Sequence, residues 1–264
     1  MKKYLWIVSI FLLFPLNVVA KSLIGMGDSI TTGYGVSENE SYFNLLCQHL
    51  SKEEKFTCDN LAHNGLTSTQ LLEQLKEDTV IKKIRVADYI VFSIGGNDFL
   101  QELISNLFLY LNETSNFTNF NQVKNKLLNN LELICRKLKE ENPNVELLII
   151  PLYNPYATLL ESNETLIANF KEAEQEYVSI AKKYGKVPDR VSEMIQDKKY
   201  LNASAQNLDP HPTTQGHELI ANAVVETLDV TLIQDQKMNY FYIIIPIVII
   251  MIGSYLVYKK FHKV

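Results

Sequence analysis

Four short stretches of this chain hold residue types that can carry out acyl transfer together. They are Gly27-Asp28-Ser29, Ala62-His63-Asn64-Gly65, Gly95-Gly96-Asn97-Asp98 and Asp209-Pro210-His211. A serine hydroxyl is a weak nucleophile until a base takes its proton. His211 is a candidate base, because imidazole titrates near neutral pH. Attack on a carbonyl leaves an oxyanion, which needs N–H donors already in place. The backbone N–H groups of Ser29 and Gly65 and the side-chain amide of Asn97 are the candidate donors. Asp209 is the carboxylate nearest His211 in sequence. Pro210 biases Asp209 toward an extended backbone, which sends its carboxylate either to the imidazole or to solvent. The alternative to an Asp209 triad is a Ser–His dyad with a backbone carbonyl on Nδ1. Asp28 and Asp98 flank the reactive positions and are expected to fix their loops by hydrogen bonds. His63 and His217 are read as loop and packing residues.

The elements around these stretches must bring them together. Strand-like apolar runs at Ser22–Met26, Phe56–Leu61, Ala87–Gly95 and Val145–Tyr153 alternate with helix-period stretches. The helical stretches are Ser41–Glu54, Thr67–Glu77, Phe99–Leu111, Val123–Glu140, Thr165–Tyr184 and Thr214–Leu228. Lys186–Val187 is expected to begin a fifth short strand, and Asn112–Gln122 to form a polar loop. Such alternation predicts a parallel sheet covered on both faces. Ligands of such sheets bind beyond the carboxyl ends of the strands, and the first three stretches follow strands. Gly27 allows the first strand to turn sharply and present Ser29. No G-x-S-x-G elbow is present, which argues against the α/β-hydrolase fold.

The stretches "GDSIT", "NLAHNG", "GGND" and "DPHPTTQGH", in that order, resemble the four blocks of the SGNH or GDSL hydrolases. The resemblance covers about Ser22 to Leu228. It implies a flavodoxin-like three-layer α/β/α sandwich, with a parallel sheet expected to have five strands. It also implies a hydrolase of esters or thioesters that needs no metal or organic cofactor. By resemblance Ser29 is the nucleophile, His211 the base, and Gly65 and Asn97 oxyanion donors beside the Ser29 N–H. One departure stands out: the family's last block has Asp three residues before His, and here Leu208 holds that position.

Both ends are apolar. Residues 1–20 have the layout of a secretion signal, with Lys2 and Lys3 ahead of an apolar core and Val18-Val19-Ala20 at its end. Tyr240–Tyr258 is a run of 19 residues without charge, long enough to span a bilayer, and Lys259, Lys260 and Lys263 follow it. The expected organisation is signal 1–20, catalytic domain 21–228, linker 229–239, transmembrane helix 240–258 and cytoplasmic tail 259–264. The domain is then extracytoplasmic. With the five lysines of the two ends set aside, 20 basic residues face 30 acidic ones in residues 21–258, a net charge of about −10. That excludes a basic surface that could track nucleic acid. Three cysteines without a CxxC pattern give no disulfide framework or zinc site. Cys47 and Cys58 either pair outside the cell or remain buried thiols. The expected substrates are small acyl esters or lipids, or alternatively acetylated cell-wall or surface polysaccharide. A non-catalytic surface-binding domain is the rival from another class.

Overall fold

The computed structural model describes residues 20–53, 55–111, 118–157, 163–204 and 207–228. Except for Ala20, the expected signal lies outside the described residues, as do the linker, transmembrane segment and tail. Among the described residues no helix is long and apolar enough to cross a membrane.

Four parallel strands form the sheet: β1 (Lys21–Gly27), β2 (Phe56–Asn60), β3 (Tyr89–Ser93) and β4 (Glu146–Ile149). Their order is β2-β1-β3-β4. Strands β1, β3 and β4 are apolar on both faces because both faces are covered. Ile24, Met26, Ile90, Phe92, Leu147 and Ile149 point into one core. Leu23, Val91, Leu148 and Ile150 point into the other.

The first core is closed by α3 (Ser68–Gln74), α4 (Asp78–Ile84), α5 (Gly96–Leu111), α6 (Thr118–Glu141) and α7 (Glu164–Ala181). The second is closed by α2 (Tyr42–Glu53), α8 (Val191–Met194) and a helix over residues 214–228, named α9. One further turn of helix, α1 (Ser29–Thr32), follows β1 directly. The result is the expected three-layer α/β/α sandwich.

Two expectations are corrected. The sheet has four described strands, not five. At the expected fifth strand only Lys186 joins the ladder, bridging Leu148. Lys186 donates to Leu147 O at 2.8 Å and accepts from Ile149 N at 2.9 Å. The next ladder donor falls on Pro188, which has no N–H, so pairing stops. The expected loop at Asn112–Gln122 is helical from Thr118 onward; residues 112–117 lie outside the described set. Cys47 in α2 and Cys58 in β2 form a disulfide with Cα atoms 6.2 Å apart. Cys135 is free and buried.

Candidate active site

The strand order reverses between β1 and β3, and a crevice opens at such a switch point, beyond the carboxyl ends. At the end of β1 the backbone approaches β3 so closely that only glycine fits. Gly27 has φ 95°, and a Cβ there would lie 1.9 Å from Ser93 O. Asp28 then caps α1, its carboxylate accepting from Ile30 N at 3.1 Å. Ser29 is thereby held as the first residue of that helical turn, with 7% of its surface exposed.

His211 Nε2 lies 2.9 Å from Ser29 Oγ. On the other side of the ring, His211 Nδ1 is hydrogen-bonded to Asp209 Oδ1. The same oxygen accepts from the backbone N–H of His211 at 3.1 Å. Pro210 therefore does not send the carboxylate to solvent. It sits in the middle of an Asx turn that brings the carboxylate back onto its own histidine. Two tyrosines beyond β4 clamp this turn: Tyr153 donates to Pro210 O at 3.1 Å and Tyr156 to Leu208 O at 2.7 Å. Leu208 itself points outward, 61% exposed.

The three candidate oxyanion donors come from three loops. Among the described residues the N–H groups of Ser29 and Gly65 have no acceptor. Gly65 has φ 77°, a left-handed conformation that favours glycine, and open space where a Cβ would be. Asn97 uses one amide hydrogen on Leu66 O, at 3.0 Å, and an amide has a second to offer. Asp98 holds the same two loops together, accepting from Ser68 N at 2.9 Å and Ser68 Oγ at 2.7 Å. Asn60 donates to Thr31 O at 2.8 Å, and Thr32 Oγ1 donates to Asn64 Oδ1. Asn60 and Asn64 thus tie the second stretch and the end of β2 to the helical turn of Ser29.

Asp28 is buried beside the nucleophile. Its Oδ1 also accepts from Ser93 Oγ at 2.6 Å. Ser93 Oγ lies 2.8 Å from Thr31 Oγ1, which lies 2.6 Å from the hydroxyl of Tyr42. Burial pushes the Asp28 carboxyl up to about 7, against the hydrogen bonds from Ser93 and Ile30, and the charge of Asp98 pushes the same way. His217 is fully buried under α2 and accepts from Tyr42 N at 3.3 Å through Nδ1. Burial lowers it to about 4, with the charge of His211 adding. It therefore stays neutral at working pH and does not reach the serine hydrogen-bond line. His63 is exposed, and its backbone N–H bonds Gly27 O at 2.9 Å.

A cavity of about 160 Å³ leads away from Ser29 and His211. Its far walls are Phe99, Leu100, Leu103, Phe120, Leu166 and Phe170. Phe99 packs against Phe120 and Phe170, with ring centroids 4.9 and 5.2 Å apart. Lys124, buried between α6 and α7, bonds Glu172 at 3.0 Å and Glu176 at 2.8 Å and holds those two walls together. Among the described residues no group of His, Cys, Asp and Glu is placed to hold a metal ion.

The sequence model of the GDSL-like Lipase/Acylhydrolase family matches residues 26–219. YpmR of Bacillus subtilis (strain 168) is 30% identical over 213 residues, covering 78% of this chain and 80% of its own. Among solved structures, the lipase Lip_vut3 from a goat rumen metagenome superposes with a TM-score of 0.64 at 20% identity, covering 79% of this chain and 97% of its own. An acetyl xylan esterase from Geobacillus stearothermophilus, Axe2, superposes with a TM-score of 0.54 at 19% identity, covering 78% and 94%. At those identities the two structures show a shared fold.

Proposed function

The chain belongs to the GDSL-like lipase/acylhydrolase family, whose members are hydrolases acting on esters, and on that premise we propose that it cleaves carboxylic esters or thioesters through an acyl-enzyme on Ser29. The observation that carries this reading is the hydrogen-bonded line from Asp209 through His211 to Ser29. His211 Nε2 takes the Ser29 proton as Oγ bonds to the carbonyl carbon. The carbonyl oxygen gains the negative charge, facing the N–H groups of Ser29 and Gly65 and the Asn97 amide. When the intermediate collapses, the bond to the leaving oxygen breaks and that oxygen takes the proton from Nε2. Water then attacks the acyl-enzyme by the same steps, with His211 again the base. Asp209 holds the imidazole tautomer and stabilises the imidazolium.

The cavity favours an acyl chain over an acetyl group. Its volume of about 160 Å³ is well above the roughly 10–15 Å³ that a single water needs. Its far walls are aromatic and aliphatic, which suits methylene groups and not a sugar. The test is a fluorophosphonate probe, followed by p-nitrophenyl esters from acetate to decanoate beside acetylated polysaccharide. The expected results are labelling of the wild type but not of Ser29→Ala, and kcat/KM rising from acetate to a longer chain. Highest activity on the polysaccharide would favour the O-acetylesterase reading, and absence of labelling a binding domain.

The Cys47–Cys58 disulfide suits an oxidising compartment and supports an extracytoplasmic domain. The apolar run Tyr240–Tyr258 supports a membrane anchor with a cytoplasmic C-terminus. Truncation before Asn239 is expected to release a soluble, active enzyme from the membrane fraction. Retention in the membrane would sink the anchor.

A further inference from the structure

The chemistry proposed above leaves one aromatic neighbour of His211 without a role, Tyr34. Its ring centroid is 4.5 Å from that of His211, with the planes tilted by 43°. The residue is 50% exposed. Its backbone N–H donates to Ser29 O at 3.0 Å, which anchors it to the nucleophile's own turn. His211 lines the apolar cavity and Tyr34 does not. Asn202 donates its backbone N–H to His211 O at 3.0 Å and borders the loop of Tyr34 at Gly35.

A tetrahedral carbon on Ser29 carries three further groups, each with its own place. The oxyanion faces the N–H donors and the acyl chain enters the cavity. The leaving oxygen must reach Nε2 of His211, because its proton comes from there. The rest of the leaving group then extends along the imidazole, away from the cavity. Tyr34 packs against the imidazole, is outside the cavity lining and still has half its surface free.

We propose that Tyr34 is the leaving-group platform of this enzyme, a specificity-determining residue whose ring face takes the alcohol portion of the ester. An exposed aromatic face contacts ring-sized or larger alcohols and gives little to methanol. The chemical class is therefore an ester of a bulky alcohol, with its alcohol open to solvent beyond the ring. This rests on the Ser29 acyl-enzyme reading.

The test compares the methyl and benzyl esters of one acyl group. Their alcohols have similar basicity, and both esters give the same acyl-enzyme, so the deacylation step cannot separate them. Tyr34→Ala is expected to lower the ratio of kcat/KM for benzyl over methyl ester by about 3- to 10-fold. Tyr34→Phe keeps the ring face and should keep the ratio. An unchanged ratio in Tyr34→Ala, whatever the overall rate, overturns the platform and leaves Tyr34 a packing residue for His211. A ratio lost equally in Tyr34→Phe also overturns it, because the hydroxyl would then be the determinant. If wild type labels with fluorophosphonate yet shows no preference for benzyl over methyl, the platform fails and the esterase reading stands. A wild type that neither labels nor hydrolyses either ester removes both.

Discussion

The side-chain amide of Asn97 donates to the backbone carbonyl of Leu66 at 3.0 Å. Two proposed oxyanion donors, Gly65 and Asn97, thereby belong to one hydrogen-bonded unit although they come from different strand ends. The amide is fixed before substrate arrives, so little reorganisation is left for the charged state. Asn97→Ala is expected to lower kcat by about 10²–10³ with a smaller effect on KM, because the donor matters most once charge has formed. Steady-state kinetics on one p-nitrophenyl ester decides it. An unchanged kcat, or a loss confined to KM, would take Asn97 out of the role.

The acid partner allows a sharper expectation than a simple loss. Asp209 Oδ1 accepts from both the backbone N–H and the ring of His211. A backbone N–H can only donate, so in Asp209→Asn the oxygen should stay in place and keep the imidazole tautomer. What is lost is the charge, and a neutral hydrogen bond is weaker than a charged one by roughly 1–2 kcal/mol. Asp209→Asn is thus expected to lower kcat by about 10- to 30-fold. Asp209→Ala loses the acceptor too and should approach the ~10⁴-fold cost of a lost triad acid. Equal losses in the two variants would show that the Asx turn does not hold the oxygen, and no loss in either would support a dyad.

Much of this site was legible in the sequence, because its reactive residues sit at strand ends and the strands announce themselves. β1, β3 and β4 are buried on both faces and so read as apolar runs. The expected fifth strand shrinks to the single bridge at Lys186 because Pro188 removes the next ladder donor, and which residue must donate there depends on a register the sequence does not display. Asp209 stayed open because its orientation depends on Tyr153 and Tyr156, more than 50 residues away in the chain. No local pattern encodes those two hydroxyls. Asn60 and Asn64 are visible in "NLAHNG", but their service to the turn of Ser29 depends on the parallel pairing of β1 with β2. The cavity was not legible either, since its walls come from three helices whose meeting is purely tertiary.

Asp28 and His217 should shape stability against pH in opposite directions. Burial raises Asp28 from 3.8 to about 7, so its contribution is full below pH 3.8 and is lost as pH rises toward 7. Burial lowers His217 from 6.5 to about 4, so its contribution is full above pH 6.5 and is lost as pH falls toward 4. In the wild type the two offset each other across the acid range. Asp28→Asn can keep the acceptor for Ser93 and Ile30 while removing the titration. Its stability should therefore rise relative to that of the wild type from pH 4 to about 7, and the difference should then level off. Urea midpoints for both proteins from pH 4 to 8 provide the check. Parallel curves would show that Asp28 does not titrate as its burial implies.

The disulfide gives the last prediction. Cys47 and Cys58 are 11 positions apart and join α2 to the edge strand β2. Among the described residues β2 pairs with β1 alone, and none of its five side chains is fully buried, so the cross-link secures an edge that the core covers only in part. A cross-link over a loop of this length removes unfolded-state entropy worth about 3 kcal/mol in the chain-entropy model. For a domain of this size each kcal/mol moves Tm by roughly 2–4 °C. Reduction, or the double substitution Cys47→Ser with Cys58→Ser, should therefore lower Tm by about 6–12 °C. Ester hydrolysis at 25 °C should persist, because the bond lies away from Ser29 and His211. The thiol count is an independent readout. Alkylation of the denatured, unreduced protein should mark one cysteine of three, Cys135, whose thiol burial pushes up to about 12 in the folded state. Three marked cysteines in protein recovered from outside the cell would show that the bond does not form.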